Sequence, residues 1–210
     1  MSYQALHIPS STPPRVTGLI HYIEKLSFSD VHSMLRLPIH NYRLSAGCNF
    51  AITHVLMAVI GGVSTTLYTH TGKVGERFIG VLEDYFPWNL EPSGSVSPKD
   101  GAEAIYEVFR NPLTHDLGLD VKKKSAGLKV KYKRLKTSTP RGTDRGLTES
   151  DIENLESSVV RPNMSATVTL ASHKRVLLIE GLYWGIRRMI ERLAADQRRM
   201  HAADQFLATL

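Results

Sequence analysis

The stretch "CNFAITHVLMAVIGGVSTTLY" (residues 48–68) lies within a 29-residue span, 44–72, that contains no Asp, Glu, Lys or Arg. A span of this length is long enough to cross a bilayer as a helix. However, Asn49, His54 and the Gly61–Gly62 pair dilute its apolar character, and the chain has no second span of this kind. We therefore expect a central, fully buried helix of a bundle, with a membrane helix as the alternative.

The sequence on both sides of this stretch predicts further helices. Apolar residues recur at helical spacing over Val16–Leu37, with a break near Ser27–Ser29, and again over Glu76–Phe86. A further helix, about Pro98–Arg110, has a strong start: Ser97 can cap it, proline fits its first position, and an acid follows at the capping-box position. These patterns indicate a helical bundle.

The pattern changes after residue 120. The segment "LKVKYKRL" (128–135) alternates between apolar and basic residues, which predicts a half-buried strand with a positively charged outer face. A short helix follows in "LTESDIENLE" (147–156), opened by a capping box of Thr148 and Asp151, and "ATVTL" (166–170) predicts a second strand. We expect the two strands to pair with each other.

The last predicted element is a long helix, about Ser172–Leu207. Its core face is marked by the apolar residues Leu178, Leu182, Ile186, Met189 and Leu193. The charged residues between them are expected to face solvent: Arg187, Arg188, Glu191 and Arg192.

These elements predict a mainly α protein: a bundle of four to five helices with a small basic strand and helix insertion before the last long helix. We expect a disordered N-terminal lead over residues 1–14 and a single domain over 15–210, with the insertion at about 121–171. The lead lacks the pattern of a secretory signal, so we expect a cytoplasmic location.

The cysteine content and the absence of several common motifs exclude a number of site classes. Cys48 is the only cysteine, which excludes an internal disulfide framework and a cysteine-rich zinc site. The histidines are scattered, and the sequence contains no GxGxxG, complete Walker loop, HExxH or GxSxG pattern. We therefore expect neither a metal nor another cofactor.

The basic residues are concentrated in one segment. Residues 122–145 contain ten Lys or Arg against one acid, a net charge of +9, which leaves −3 for the rest of a chain whose total is +6. Such asymmetry predicts a polyanionic partner, either nucleic acid or an anionic membrane surface, although a solvated lysine-rich loop would give the same composition. The candidate RNA-binding residues are Lys122, Lys123, Lys124, Lys129, Lys131, Lys133, Arg134 and Lys136.

The segment "FRNPLTH" (109–115) contains the candidate catalytic residues. We expect the chain to bend at Asn111–Pro112, with Asn111 as the cap of a new helical segment, so that Arg110 and His115 converge. Arginine is a permanent planar cation suited to phosphate oxygens, and histidine exchanges protons near neutral pH. This pair is sufficient for metal-free RNA cleavage, in which a 2′-hydroxyl attacks the neighbouring phosphorus.

Arginine, a polar residue and a histidine four residues further along, at the end of a bundle helix, resemble the Rx4–6H motif of the HEPN superfamily. The matching residues are Arg110, Asn111 and His115. The resemblance implies a small helical bundle and a metal-independent ribonuclease that acts as a homodimer, with the motifs of two copies facing each other. It also implies a role in toxin–antitoxin, anti-phage or RNA-processing systems, with an antitoxin or regulatory protein as a further partner. The basic insertion departs from a minimal bundle of this family.

Two other functions remain open. A non-catalytic module of the same fold would bind nucleic acid or a regulatory partner through its lysines, and Arg110 and His115 would then be structural. A membrane-attached protein would use the uncharged span 44–72 together with the basic segment. We expect the ribonuclease.

Overall fold

A computed structural model describes residues 4–37, 48–69, 72–115, 129–133, 146–171 and 174–210, and for Thr114, His115, Lys129–Lys133 and Lys174 it describes the backbone. The described part is mainly helical, as predicted. Its helices are α1 (Pro14–Ile23), α2 (Ser29–Leu35), α3 (Asn49–Thr66), α4 (Val74–Tyr85), α5 (Pro98–Ala104), α6 (Asn111–His115), α7 (Glu149–Ser157), α8 (Ile179–Ala195) and α9 (Gln197–Leu207). Its strands are β1 (Lys129–Lys133), β2 (Val168–Ala171) and β3 (Lys174–Leu178).

Two π-helical segments join neighbouring helices. Glu24–Phe28 connects α1 to α2, at the position where the sequence predicted a break, and Ile105–Arg110 connects α5 to α6. The predicted start of α5 is confirmed, since the Ser97 hydroxyl accepts the N–H of Asp100 at 3.2 Å. The capping box of α7 is confirmed too: Thr148 Oγ1 accepts the N–H of Asp151 at 3.2 Å.

The helix α8 is the most deeply buried, and it packs against α3, α4, α7 and α9. Gly185 permits the contact with the end of α4, because a Cβ there would lie 2.1 Å from the Phe86 ring.

The expectation that residues 44–72 provide a fully buried central helix is wrong in its extent, because α3 is buried on one face only. One face of α3 is in the core, whereas Phe50, His54, Ala58 and Gly62 are exposed.

By length and composition α3 could also cross a membrane, with a mean hydropathy of 1.3 over Asn49–Thr66. In this fold 44% of that window is buried. Its buried side, which includes Ile52, Leu56, Ile60 and Val63, belongs to the same apolar core as α8. The amphipathic packing of α3 is that of a core helix with one open face.

The predicted pairing of the two strands is wrong. Both strands pair with β3, which the sequence analysis placed inside the last helix, and the sheet order is β1-β3-β2. β1 runs parallel to β3 and β2 runs antiparallel to it. The segment "KRVLL" (174–178) has apolar spacing compatible with either state, and the two strands beside it provide the backbone partners that select the extended one.

After β3, the rest of the predicted last helix is two helices, because Asp196 ends α8 and caps α9. The Asp196 Oδ1 atom accepts the N–H of Arg199 at 3.1 Å, which satisfies one donor of the first turn of α9. The Tyr85 hydroxyl donates to the same carboxylate at 2.6 Å and holds the pKa of Asp196 below its usual value. Asp196, a capping acid within a helical apolar pattern, therefore marks the boundary between α8 and α9.

The prediction that Arg187 and Arg188 face solvent is wrong, because their relative exposures are 0% and 8%. Arg187 donates to the Gln4 carbonyl oxygen, and Arg188 donates to the Glu156 carbonyl oxygen at 2.8 Å. Both cations are therefore buried with backbone acceptors, which spacing along a helix does not reveal.

Residues 4–13 form no helix or strand, yet they pack on the bundle instead of forming a disordered lead. Leu6 is buried and its N–H donates to Glu24, while the N–H of His7 donates to Glu191 at 2.9 Å. Burial raises the pKa of the Glu24 carboxyl. Contacts with the Glu24 and Glu191 side chains thus hold this segment in place.

The environments of Tyr68 and Tyr85 predict that the folded protein loses stability at alkaline pH. Burial, together with a bonded carboxylate beside each hydroxyl, raises the pKa of both tyrosines to about 12, above the usual value of about 10. Between about pH 10 and 12 an unfolded tyrosine loses its proton before a folded one does, so the free energy of unfolding falls as pH rises.

We expect Tyr85→Phe to make this fall less steep, as measured by urea midpoints from about pH 9 to 12. Tyr22→Phe, which changes an exposed tyrosine of α1, is the control and should keep the wild-type slope. Identical slopes for the wild type and Tyr85→Phe would contradict the assignment.

Candidate functional site

The helical run from Pro98 to His115 positions the candidate catalytic residues. Its buried edge consists of Ile105, Phe109 and Leu113, spaced four residues apart and no more than 1% exposed. Because these three side chains fix the rotation of the run against the core, Arg110 and Asn111 lie at its border with solvent, and both are half-buried.

At the motif the helix continues through a wider π turn and does not end. The N–H of Asn111 donates to the carbonyl oxygen of Tyr106, five residues earlier, and Asn111 has helical angles, φ −63° and ψ −48°. The expectation that Asn111 is the cap of a new helical segment is therefore wrong, because its own backbone is helical. Pro112 lacks an N–H and its ring crowds the carbonyl four residues back, so a wider π turn before it keeps the chain helical.

Side chains around Arg110 define its position. Its Nη1 donates to Asn111 Oδ1 at 3.0 Å, and Asn111 Nδ2 donates to Glu107 Oε2 at 3.1 Å. The guanidinium carbon lies 5.3 Å from the ring centroid of Tyr106, which in turn packs on Phe78. The first two residues of the motif are thus directly bonded to each other, and an aromatic ring supports the cation.

Arg110 faces the open side of α3. It lines a partly enclosed pocket of about 230 Å³ together with His54, Met57, Ala58, Gly61 and Gly62. Arg110 contributes a guanidinium to the described lining of this pocket, and arginine is a permanent planar cation suited to phosphate oxygens. An anion is the ligand class that such a lining favours.

The structure describes only some of the other predicted site residues. His115 is the last residue of α6, and its side chain lies outside the described part. Whether Arg110 and His115 converge therefore remains a prediction. Lys129, Lys131 and Lys133 contribute backbone to β1, which lies next to α3. The remaining candidates, Lys122, Lys123, Lys124, Arg134 and Lys136, lie outside the described residues.

His54 is a titratable residue of this pocket that the sequence analysis did not select as a candidate site residue. It belongs to a different helix from the motif, and spacing along the chain cannot relate the two. One sequence signal was available: an imidazole within a 29-residue uncharged span is an unusual residue for a core helix.

Among the described residues no group of three or more His, Cys, Asp or Glu side chains is arranged to hold a metal ion. Comparison of the chain with family models, curated proteins and solved structures gives no match in any of the three.

Proposed function

We propose that the protein is a metal-independent endoribonuclease of the HEPN type, with Arg110, Asn111 and His115 as its catalytic motif. The observation that supports this most is the placement of Arg110: its guanidinium is hydrogen-bonded to Asn111 and lines a pocket together with residues of α3. An anionic phosphodiester is the group that this pocket suits.

The proposed reaction requires no hydrolytic water in its first step. A base removes the proton of a ribose 2′-hydroxyl, the 2′-oxygen forms a bond to the neighbouring phosphorus, and the bond from phosphorus to the 5′-oxygen breaks. The leaving 5′-oxygen takes up a proton. The products are a 2′,3′-cyclic phosphate and a 5′-hydroxyl end. Arg110 would stabilise the negative charge that develops on the phosphoryl oxygens.

Asn111 has a positioning role in this proposal. Its amide oxygen accepts from Arg110 and its amide nitrogen donates to Glu107, so it links the cation to the helix one turn earlier. His115 would exchange a proton with the substrate, and the basic residues of 122–136 would bind the RNA backbone. The backbone of β1 lies beside α3, which supports placing part of this segment near the pocket.

The exposed face of α3, which carries no Asp, Glu, Lys or Arg, also supports a second copy as a partner. In this proposal the protein acts in the cytoplasm, and an antitoxin or regulatory protein would bind the same assembly. This arrangement suits an RNA-cleaving toxin or an anti-phage protein.

The test is cleavage of an end-labelled RNA by the purified protein in EDTA. We expect cleavage by the wild type and by the control His201→Ala, which removes an imidazole bonded to Gln205 on α9. We expect His115→Ala to lose about 10²-fold or more in rate. Salt-sensitive RNA binding without any cleavage would instead favour the non-catalytic module.

A further inference from the structure

The pocket beside Arg110 contains a second group that can transfer protons. His54 projects from α3, while Arg110 comes from the run that joins α5 to α6, so two separate elements bring an imidazole and a guanidinium to one pocket. Met57, Ala58, Gly61 and Gly62 complete the described lining. His54 and Arg110 are the two charged or titratable side chains among these residues.

The position of His54 is well defined. The opposite face of α3 is in the core, with Leu56, Ile60 and Val63 fully buried, so the helix cannot rotate without exposing them. Phe50, one turn earlier, stacks on the imidazole with ring centroids 6.5 Å apart and planes at 27°. The helix and the aromatic ring therefore hold an exposed imidazole at the edge of the pocket.

The glycines of α3 leave room beside these two groups. A Cβ added to Gly61 or Gly62 would meet no atom within 4 Å, so the space over this part of the helix is open. A phosphate with its ribose can approach the helix backbone there, whereas larger residues would occupy the space. The lining thus combines a fixed cation, a titratable ring and an open floor.

Cleavage through a 2′-hydroxyl needs two proton transfers, one from the attacking oxygen and one to the leaving 5′-oxygen. The motif supplies one imidazole, His115. We infer that His54 supplies the other and acts with Arg110 on the same phosphodiester, an inference that rests on the proposed function. One imidazole takes the 2′-proton as the O2′–P bond forms, and the other, as imidazolium, gives its proton to the 5′-oxygen as the P–O5′ bond breaks.

His54→Ala tests this role through the pH dependence of the single-turnover rate. We expect the rate to fall about 10²-fold and one limb of the bell-shaped profile to disappear, because one of the two titrating groups is lost. The control His201→Ala should keep both the rate and the profile. A His54→Ala enzyme with both limbs intact and a rate within about threefold of wild type would overturn the inference.

A binding measurement separates this inference from the proposed function. A dinucleotide with a 2′-deoxyribose cannot be cleaved by this route, so it reports binding alone. In NMR spectra we expect it to shift the His54 ring signals of the wild type but not of Arg110→Ala. Unchanged His54 signals in the wild type would overturn the shared phosphate site. Shifted signals in a protein that never cleaves RNA would overturn the nuclease, and with it a catalytic role for His54.

Discussion

Replacement of Arg110 by alanine is expected to lower the single-turnover rate of RNA cleavage by about 10³-fold. A loss of this size is usual when an enzyme loses an arginine that stabilises the charge of a phosphoryl-transfer transition state. The guanidinium lines the pocket beside α3, and its planar fork matches phosphate oxygens. Its contacts with Asn111 and Tyr106 lie at the border with solvent. We therefore expect the variant to fold normally, as judged by its circular dichroism and thermal midpoint.

Two further variants sharpen this measurement. Arg110→Lys retains the charge but lacks the planar fork, so it should recover only part of the lost rate. Arg15→Ala is the matched control, because it removes an arginine whose side chain is 60% exposed and which pairs with Asp204 on the surface. Wild-type rates in Arg110→Ala would show that this cation takes no part in the reaction.

The second large effect is expected on stability. Glu91→Ala should lower the free energy of unfolding by about 3–5 kcal/mol, the usual cost of removing one partner of a buried ion pair. The side chains of Glu91 and Arg161 are 2% and 6% exposed, and they bond directly to each other. Glu91 also accepts the backbone N–H of Thr167 at 2.9 Å and its hydroxyl at 2.6 Å.

This cluster connects the loop after α4 to the residues before β2. Without Glu91 the Arg161 cation stays buried, where desolvation already lowers the pKa of its guanidinium. Urea unfolding at neutral pH measures the effect. The exposed pair provides the control, since Arg15→Ala should cost less than about 1 kcal/mol. A loss below about 1 kcal/mol in Glu91→Ala would contradict the assignment of this pair as a buried link.

The sequence predicted the elements whose signals are local. The uncharged span gave α3, and capping residues at Ser97 and Thr148 marked the starts of α5 and α7. The sequence did not predict the features that depend on contacts with residues far away in the chain. β3 is extended because it has a strand on each side, and Arg187 is buried because the N-terminal segment accepts its hydrogen bond.

The same distinction applies to the site. Arg110 and Asn111 are neighbours in the chain, and their bond follows from a motif that the sequence displays. The π turn before Pro112 has no simple sequence signal, so the expected cap at Asn111 was wrong. His54 was missed because it lies on a different helix from the motif, and the fold alone brings the two to one pocket.

The most direct test of the proposed chemistry uses an oligonucleotide with one ribose among 2′-deoxyriboses, incubated with the wild-type protein in EDTA. Attack by the 2′-hydroxyl predicts a single cut, at the bond following the ribose, that leaves a 2′,3′-cyclic phosphate and a 5′-hydroxyl. Cuts at deoxyribose positions, or products with a 3′-hydroxyl and a 5′-phosphate, would contradict it.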